Sequence, residues 1–139
     1  MSAMFRYSRN VEFADTDLAG TVHFSNYFRF MEAAELAFLR ARGLSFGMEW
    51  QGERVSMPRV AASCDFIKPV TFGDVLEISV AIQRLGRSSI TYAFEFFKGA
   101  DVVGRGQLTA VFCRINPPHP PQAIPIPDAM RVKLQPTGE

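Results

Sequence analysis

Alternation of apolar and polar residues dominates the second half of the chain and predicts a series of β-strands. Apolar side chains recur at every second position in residues 60–67, 76–83 and 90–96, and residues 102–115 are expected to form the last long strand. Turn sequences at Leu85-Gly86-Arg87 and Lys98-Gly99-Ala100-Asp101 separate the last three stretches. Links this short predict antiparallel neighbours, because a parallel pair needs a crossover of about a dozen residues or more.

The first half of the chain predicts one strand and one long helix. Residues 4–13 form the strand pattern, and residues 26–42 carry apolar side chains on more than one face of a helix. An apolar surface this wide predicts that the helix is buried on most sides. Ser25 or Asn26 is the expected N-terminal cap and Gly43 the expected stop, with an irregular segment at 44–57.

One buried helix followed by several antiparallel strands predicts an α+β fold in which the sheet wraps around the helix. The chain of 139 residues has the size of a single domain, residues 1–139. Within it, residues 116–139 form a proline-rich C-terminal tail. Residues 116–127 hold most of the prolines and are not expected to continue the sheet, and a short turn is expected near Asp128.

Composition narrows the possible partners. The net charge is +1 with no basic run, which argues against nucleic acid. Arg29, Glu32 and Glu35 interrupt the apolar helix, so no membrane span is expected, and the N-terminus does not resemble a signal peptide. Two cysteines within strand patterns predict neither a metal site nor a disulfide framework. The expected location is the cytoplasm.

Candidate chemistry is concentrated in residues 13–32, FADTDLAGTVHFSNYFRFME. Two acids, Asp15 and Asp17, precede the start of a helix, where free backbone N–H groups point outward and the helix dipole is positive. A carboxylate facing such donors can attack a carbonyl or activate a water while the donors hold the oxyanion. Taken locally, turn chemistry is the better explanation of both acids.

The motif and the order of elements resemble a known family. Further shared features are the sequence FIKPVTFGDVL at 66–76 and Leu85-Gly86-Arg87-Ser88-Ser89. Within the first motif the matching positions are Val11-Glu12-Phe13, Asp15-Thr16-Asp17, Ala19-Gly20, Val22, Tyr27 and Glu32. Over roughly residues 5–115 the chain resembles the hotdog-fold acyl-CoA thioesterases of the 4-hydroxybenzoyl-CoA thioesterase type, which include the Tol-Pal-associated thioesterases.

The resemblance implies a hydrolase that converts an acyl-CoA and water to a carboxylic acid and CoA. It implies a homodimer joined edge to edge into a continuous sheet, often paired again into a homotetramer, with active sites at the subunit interface. No metal and no cofactor is implied, since coenzyme A is part of the substrate.

The resemblance also assigns roles to residues. Asp17 becomes the nucleophile or general base, and the backbone N–H of Phe24 becomes the donor to the thioester carbonyl. Asp15 and Thr16 are expected to hydrogen-bond the loop backbone. His23 lies one residue earlier than the histidine of relatives that carry one. It is expected to line the acyl pocket or make a structural hydrogen bond, and a general-acid role stays open.

Charged and aromatic residues complete the candidate site. Tyr27 is a candidate for the acyl pocket. Candidates for the phosphates of CoA are Lys68, Arg84, Arg87 and Ser88, although a solvated turn charge is the better explanation of any single one of them. Glu32 and Glu35 lie on a buried helix and are expected to pair with Arg29, Arg40 or an arginine of another chain. Alternatively, Glu32 orients the active-site loop.

Two other functions fit the same sequence. A hotdog hydratase or dehydratase acting on enoyl-CoA would need a catalytic histidine, for which only His23 is placed. A non-catalytic module binding acyl-CoA or an acyl carrier would keep the fold without turnover. The sequence leaves the acyl group open, with the phenylalanines favouring an aromatic or medium-length one, and it leaves open the choice between dimer and tetramer.

Overall fold

The computed structural model describes residues 4–45 and 49–135. The elements follow one another along the chain as β1 (Phe5–Asn10), a 3-10 helix (Phe13–Asp15), α1 (Phe24–Ala41), β2 (Glu49–Trp50), β3 (Glu53–Ser56), β4 (Arg59–Phe66), β5 (Val75–Leu85), β6 (Ser89–Lys98), β7 (Asp101–Val111), β8 (Cys113–Arg114), β9 (Gln122–Ala123) and α2 (Asp128–Leu134). Five strands form an antiparallel sheet in the order β1-β5-β6-β7-β4, and four short strands form a second sheet in the order β2-β3-β8-β9.

The large sheet packs around α1, and this contact forms the core. Along β6 every second side chain is buried, which is the alternation that the sequence shows. The helix buries one face against these strands, composed of Tyr27, Phe30, Met31, Ala34, Glu35, Phe38 and Leu39. The predicted α+β architecture, an antiparallel sheet wrapped around one long helix, is confirmed.

The start of α1 differs from the prediction, whereas its end agrees. The helix begins at Phe24, and the cap is His23 rather than Ser25 or Asn26. At the other end, Gly43 adopts a φ of 74°, a left-handed conformation that costs glycine little. Its N–H donates to Arg40 O, and Leu44 N–H donates to Leu39 O, which closes the helix as expected.

Several strand boundaries were predicted wrongly. The first strand ends at Asn10, and a 3-10 helix follows where a strand to residue 13 was expected. The last long strand breaks at Phe112, whose N–H donates to Ser88 O, and the chain then enters the second sheet as β8. That sheet recruits β2 and β3 from the segment expected to be irregular, of which residues 46–48 lie outside the described residues.

The tail is also more ordered than predicted. β9 pairs with β8, and α2 extends over Asp128–Leu134 where only a short turn was expected. Met130 and Leu134 are buried, so α2 joins the core through its apolar face. Arg131 anchors the helix by donating from its guanidinium to Gly86 O and Arg87 O.

The Met31 side chain of α1 packs closely on β7. A Cβ atom at Gly106 would meet Met31 Sδ at 2.7 Å, and one at Gly104 would meet Asp65 O at 3.2 Å. The absence of side chains at these two positions therefore leaves room on β7 for the Met31 side chain and for the backbone of the neighbouring strand.

No helix within residues 4–45 and 49–135 combines the length and apolar character that crossing a bilayer requires.

Candidate active site

The loop that carries Asp17 is a tight turn held by its own hydrogen bonds. Asp17 N–H donates to Thr21 O, and Gly20 N–H donates back to Asp17 O, both at 2.9 Å. Asp17 Oδ1 accepts from Ala19 N–H at 2.9 Å, an Asx-type contact that orients the side chain. Gly20 has a φ of 86°, a conformation that side chains oppose. The carboxylate is exposed, and its Oδ2 has no partner among the described residues.

A second loop supports this turn from outside. Val22 N–H donates to Val70 O at 2.8 Å, and Thr21 forms an isolated antiparallel bridge with Thr71. The supporting loop is fastened in turn by Asp74, whose Oδ2 accepts from Thr71 N–H at 2.9 Å. This hydrogen bond is the main reason that the pKa of Asp74 lies below its ordinary value. The two loops together fix the backbone around Asp17.

Asp15 serves the scaffold, as the sequence predicted. Its carboxylate is largely buried and accepts from Glu12 N–H at 2.8 Å, with Arg9 Nη2 at 3.4 Å from both oxygens. The neighbouring Thr16 donates from its hydroxyl to Phe13 O at 2.7 Å. Asp15 is thus committed to structure, whereas Asp17 presents a free carboxylate oxygen.

The first turn of α1 begins seven residues after Asp17. Phe24 is its first residue, and the Phe24 N–H has no hydrogen-bond partner in the described part of the chain, as expected for the first position of a helix. His23 Nδ1 accepts from Ser25 N–H at 3.2 Å and lies 2.7 Å from Ser25 Oγ. The His23 ring also stacks on the Phe24 ring, with centroids 4.7 Å apart.

Asp17 and the helix start share one open cavity of about 380 Å³. The cavity is lined by Asp17, Thr21, Val22, Phe24, Tyr27, Phe66, Ile67, Lys68, Pro69 and Val70. Its aromatic wall consists of Tyr27 and Phe66, whose ring centroids are 4.9 Å apart. Burial raises the pKa of Tyr27, and the nearby Cys64 adds to the effect, so this phenol stays protonated at neutral pH. Residues that carry a free carboxylate oxygen, a free N–H and aromatic rings therefore line one space.

The structure brings only some of the predicted site residues together. Asp17, Phe24, Tyr27 and Lys68 line the cavity, and Lys68 Nζ lies 3.6 Å from Asp101. His23 is absent from the lining and instead caps the helix. Arg84 lies near the end of β5, and Arg87 and Ser88 lie in the turn that follows, whereas the cavity adjoins the loop before β5. Eleven strand residues separate these ends, a distance of more than about 30 Å.

The buried acid of α1 has a partner that the sequence did not suggest. Arg59, at the start of β4, donates to both oxygens of Glu35, from Nη2 at 2.5 Å and from Nη1 at 3.0 Å. It also reaches Glu32 at 3.3 Å, so neither Arg29 nor Arg40 is needed. Burial raises the pKa of Glu35 despite the opposing hydrogen bond from Arg59. A lone arginine at the start of a strand gives no local signal of this contact.

A second, more enclosed cavity of about 130 Å³ lies at the opposite end of α1. Its described lining includes Leu39, Trp50, Val55, Phe112 and Met130. None of the site residues predicted from the sequence lines it, so the chemistry remains with the cavity beside Asp17.

Comparison with known proteins identifies the family of the chain. Residues 19–104 match the family model described as thioesterase superfamily. The chain belongs to this superfamily. It is a thioester hydrolase of the hotdog fold, as the sequence predicted. Over 134 residues it is 34% identical to a 1,4-dihydroxy-2-naphthoyl-CoA hydrolase from Thermosynechococcus vestitus, covering 96% of this chain and 90% of the relative.

Solved structures of similar proteins share the whole architecture. A gentisyl-coenzyme A thioesterase is 30% identical, with a TM-score of 0.82, covering 94% of this chain and all of the other. A 1,4-dihydroxy-2-naphthoyl-CoA thioesterase from Synechocystis is 25% identical, with a TM-score of 0.84, covering 95% and 96%. The similarity therefore extends beyond the central motif to the elements of the second sheet.

Proposed function

We propose that the thioesterase hydrolyses an acyl-CoA, with Asp17 as the reacting carboxylate and the Phe24 N–H as the oxyanion donor. The observation that carries this proposal is their position on one cavity, where the carboxylate has a free oxygen and the N–H has no other acceptor. A thioester carbonyl bound between them would meet a nucleophile on one side and a donor on the other.

Two routes use this arrangement. In the first, Asp17 attacks the carbonyl carbon, CoA leaves as the thiolate, and water hydrolyses the resulting anhydride to release the acid and restore Asp17. In the second, Asp17 takes a proton from a water that attacks the carbonyl carbon directly, the C–S bond then breaks to release CoA as the thiolate, and Asp17 gives the proton up to that thiolate or to solvent. Both routes place negative charge on the carbonyl oxygen, which the Phe24 N–H stabilises. Neither route uses a metal or another cofactor, and CoA enters only with the substrate.

An aromatic acyl group is the substrate class we favour. The relatives named above hydrolyse naphthoyl and gentisyl thioesters. The rings of Tyr27 and Phe66 form a wall of the cavity in this chain, and aromatic rings pack well against such a wall. We place the enzyme in the cytoplasm, where its two free cysteines would stay reduced.

A homodimer joined through β4 would complete the site. In the large sheet β4 pairs with β7 alone among the described strands, so its other edge is open. Exposed apolar side chains accompany this edge, including Val60 and Phe66. An open edge of this kind favours pairing with another strand, and a two-fold axis would pair β4 with a second β4 in antiparallel orientation.

This dimer would bring the distant basic hairpin to the cavity. Along the register, Arg59 in β4 pairs with Ala110, Ala110 with Ile90, and Ile90 with Leu85, so the β5–β6 hairpin lies at the end of the sheet where β4 begins. Phe66 and the Asp17 cavity lie at the other end. Because an antiparallel pair exchanges its ends, one chain's hairpin would lie at the end that holds the other chain's cavity. Arg84, Arg87 and Ser88 would then bind the CoA phosphates together with Lys68.

Asp17→Asn is the variant that tests the proposal. We expect it to fold and bind acyl-CoA but to hydrolyse it at least about 10²-fold more slowly, because the reacting carboxylate is lost. Thiol release, followed with a thiol reagent across aliphatic and aromatic acyl-CoAs, measures the rate and identifies the acyl preference. Wild-type hydrolysis by Asp17→Asn would contradict the assignment.

Asp15→Asn is the matched control in the same loop. It weakens the contacts of a largely buried carboxylate with Glu12 N–H and Arg9. We expect it to lower the free energy of unfolding by about 1–3 kcal/mol, with turnover per folded molecule close to that of the wild type. A purely catalytic defect in Asp15→Asn would reverse the roles of the two acids.

A further inference from the structure

We propose that His23 is a positioning residue, whose ring fixes the first turn of α1 so that the Phe24 N–H is held toward the thioester. This inference rests on the proposed role of the Phe24 N–H. It gives His23 a task different from substrate binding and from acid catalysis.

The contacts of the ring define its chemical state. A backbone N–H can only donate, so the Nδ1 that accepts from Ser25 N–H at 3.2 Å carries no proton. A ring that makes this contact can carry a proton only on Nε2. Ser25 Oγ, 2.7 Å from the same nitrogen, is left as a donor to it. Helix caps of this kind usually employ Ser, Thr, Asp or Asn, and here an imidazole nitrogen takes their place.

The backbone of His23 ties this cap to the loop that carries the acids. His23 N–H donates to Asp15 O at 2.9 Å, and Asn26 Nδ2 donates to the same oxygen at 2.8 Å. His23 O accepts from Asn26 N–H at 2.9 Å. The start of α1 and the loop around Asp15 and Asp17 are thus joined by one set of hydrogen bonds, with His23 at its centre.

The Phe24 N–H belongs to the peptide group between His23 and Phe24, so its direction follows the conformation of this residue pair. The hydrogen bond from Ser25 N–H holds the His23 ring in place. The Phe24 ring stacks on the His23 ring, with centroids 4.7 Å apart, and is restrained by this contact. An oxyanion donor contributes most when its direction is fixed before the reaction. Releasing the cap would let the first turn fray, and the donor would lose this preorganisation while the carboxylate of Asp17 remained in place.

His23→Ala and His23→Asn separate this role from the alternatives. Asn can accept from the Ser25 N–H and restore the cap, whereas Ala cannot. Because removal of a whole oxyanion donor costs about 10²–10³-fold in kcat, we expect loosening it in His23→Ala to lower kcat by about tenfold or more, with KM changed much less. His23→Asn should retain kcat within about threefold of the wild type, because an asparagine cap is among the most favourable.

Each outcome is informative. Equal loss of kcat in both variants would overturn the proposal, because it would show that imidazole chemistry is required. Wild-type kcat in His23→Ala would overturn it too, and if Asp17→Asn were then still inactive the proposed function would stand without this inference. If the wild type released thiol from no acyl-CoA, the proposed function itself would fail.

A measurement on the wild-type protein guards against a misfolded His23→Ala. The nitrogen chemical shifts of the His23 ring distinguish its two neutral tautomers. We expect the tautomer with the proton on Nε2, with a hydrogen bond at Nδ1. A ring protonated on Nδ1 would overturn the proposal, since it could not accept from Ser25.

Discussion

Asp15 and Asp17 are chemically identical and two residues apart, yet their surroundings divide their tasks. Asp15 is buried against Arg9 and accepts from Glu12 N–H, while Asp17 keeps one oxygen free at an open cavity. The sequence alone allowed either acid to be a turn residue. Which of the two carboxylates becomes buried depends on how the loop backbone folds, and the local sequence does not show this.

The N-terminal cap of α1 is His23, two or three residues before the predicted caps. Propensity favours Ser and Asn at a cap, and both occur at the predicted site. In the structure Asn26 uses its side chain on Asp15 O and Ser25 supplies the N–H to be capped. His23 accepts that N–H because the bridge between Thr16 and Val22 places it just before the helix.

Glu35 gives a prediction for the dependence of stability on pH. Burial makes its pKa higher in the folded protein than in the unfolded chain, even with Arg59 as a partner. An acid with a raised pKa binds its proton more tightly in the folded state, so protonation stabilises the fold. This contribution is complete below the unfolded pKa of about 4.3 and is lost as the pH rises through the higher folded value.

Glu35→Gln removes this titration. We expect the free energy of unfolding of the wild type, relative to Glu35→Gln, to fall as the pH rises above about 4, by about 1.4 kcal/mol for each pKa unit of elevation. Denaturant unfolding between acidic and neutral pH measures the difference. Glu53→Gln, at a half-exposed side chain that pairs with Arg114, is the control and should follow the wild type. A difference between wild type and Glu35→Gln that rises with pH would contradict the assignment.

Among the elements, β4 contributes to the core at its start, to the cavity at its end and to the proposed interface along its outer edge. Arg59 at its start reaches inward to Glu35, and Phe66 at its end forms a wall of the cavity. Its outer edge is open. The alternation in residues 60–67 predicted the strand but not its position at an edge, since order within a sheet depends on contacts between residues distant in sequence.

The division of the last long strand was likewise hidden from local pattern. Residues 102–115 were expected to form one strand, yet β7 ends at Val111, and the Phe112 N–H donates to Ser88 O. The following residues pair with β3 and β9 instead of β4 and β6. Alternation reports that a segment is extended, whereas its partners are chosen by the tertiary structure.

The proposed dimer through β4 predicts the effect of a charge near its centre. Residues near the middle of a strand that pairs with its own copy face each other across the two-fold axis. Ala62→Glu would bring two carboxylates together there, and like charges at an interface cost several kcal/mol, on the order of a 10²-fold weaker dimer or more. We expect sedimentation to show a shift toward monomer.

Val132→Glu is the control for that experiment. Val132 is an exposed apolar residue on α2, outside β4. It should leave the oligomeric state unchanged. Retention of the dimer by Ala62→Glu, or equal dissociation of both variants, would argue against β4 as the interface.

At the scale of the whole molecule, the proposed dimer explains how the basic hairpin can reach an active-site cavity. The sequence grouped Arg84, Arg87 and Ser88 with Asp17, whereas the fold separates them by the length of β5. The proposed exchange of ends across the two-fold axis reunites them. Single-chain reasoning could identify these residues as candidates but could not assign them to a partner.

Refolding two impaired variants together tests whether the hairpin of one chain serves the cavity of the other. Asp17→Asn lacks the carboxylate, and a variant with both Arg84→Ala and Arg87→Ala lacks the hairpin charges. In a mixed dimer, one cavity has an intact Asp17 and faces the intact hairpin of the other chain. After unfolding and refolding together, we expect about a quarter of the wild-type activity at subsaturating substrate, since half of the dimers are mixed and each regains one of two sites.

The two variants refolded separately are the control for the mixture. If each chain used its own hairpin, no cavity in the mixed dimer would be complete. Activity no higher than the average of the separate proteins would therefore contradict the exchange of ends.

The contact between Met31 and Gly106 sets a limit on how this fold can vary. A Cβ atom at Gly106 would lie 2.7 Å from Met31 Sδ, so any larger residue there would require the Met31 side chain to shift. The cavity wall has more freedom, because Phe66 and Ile67 border open space. Substitutions that reshape the cavity wall can therefore accumulate one at a time, whereas a side chain at position 106 needs a compensating change at position 31.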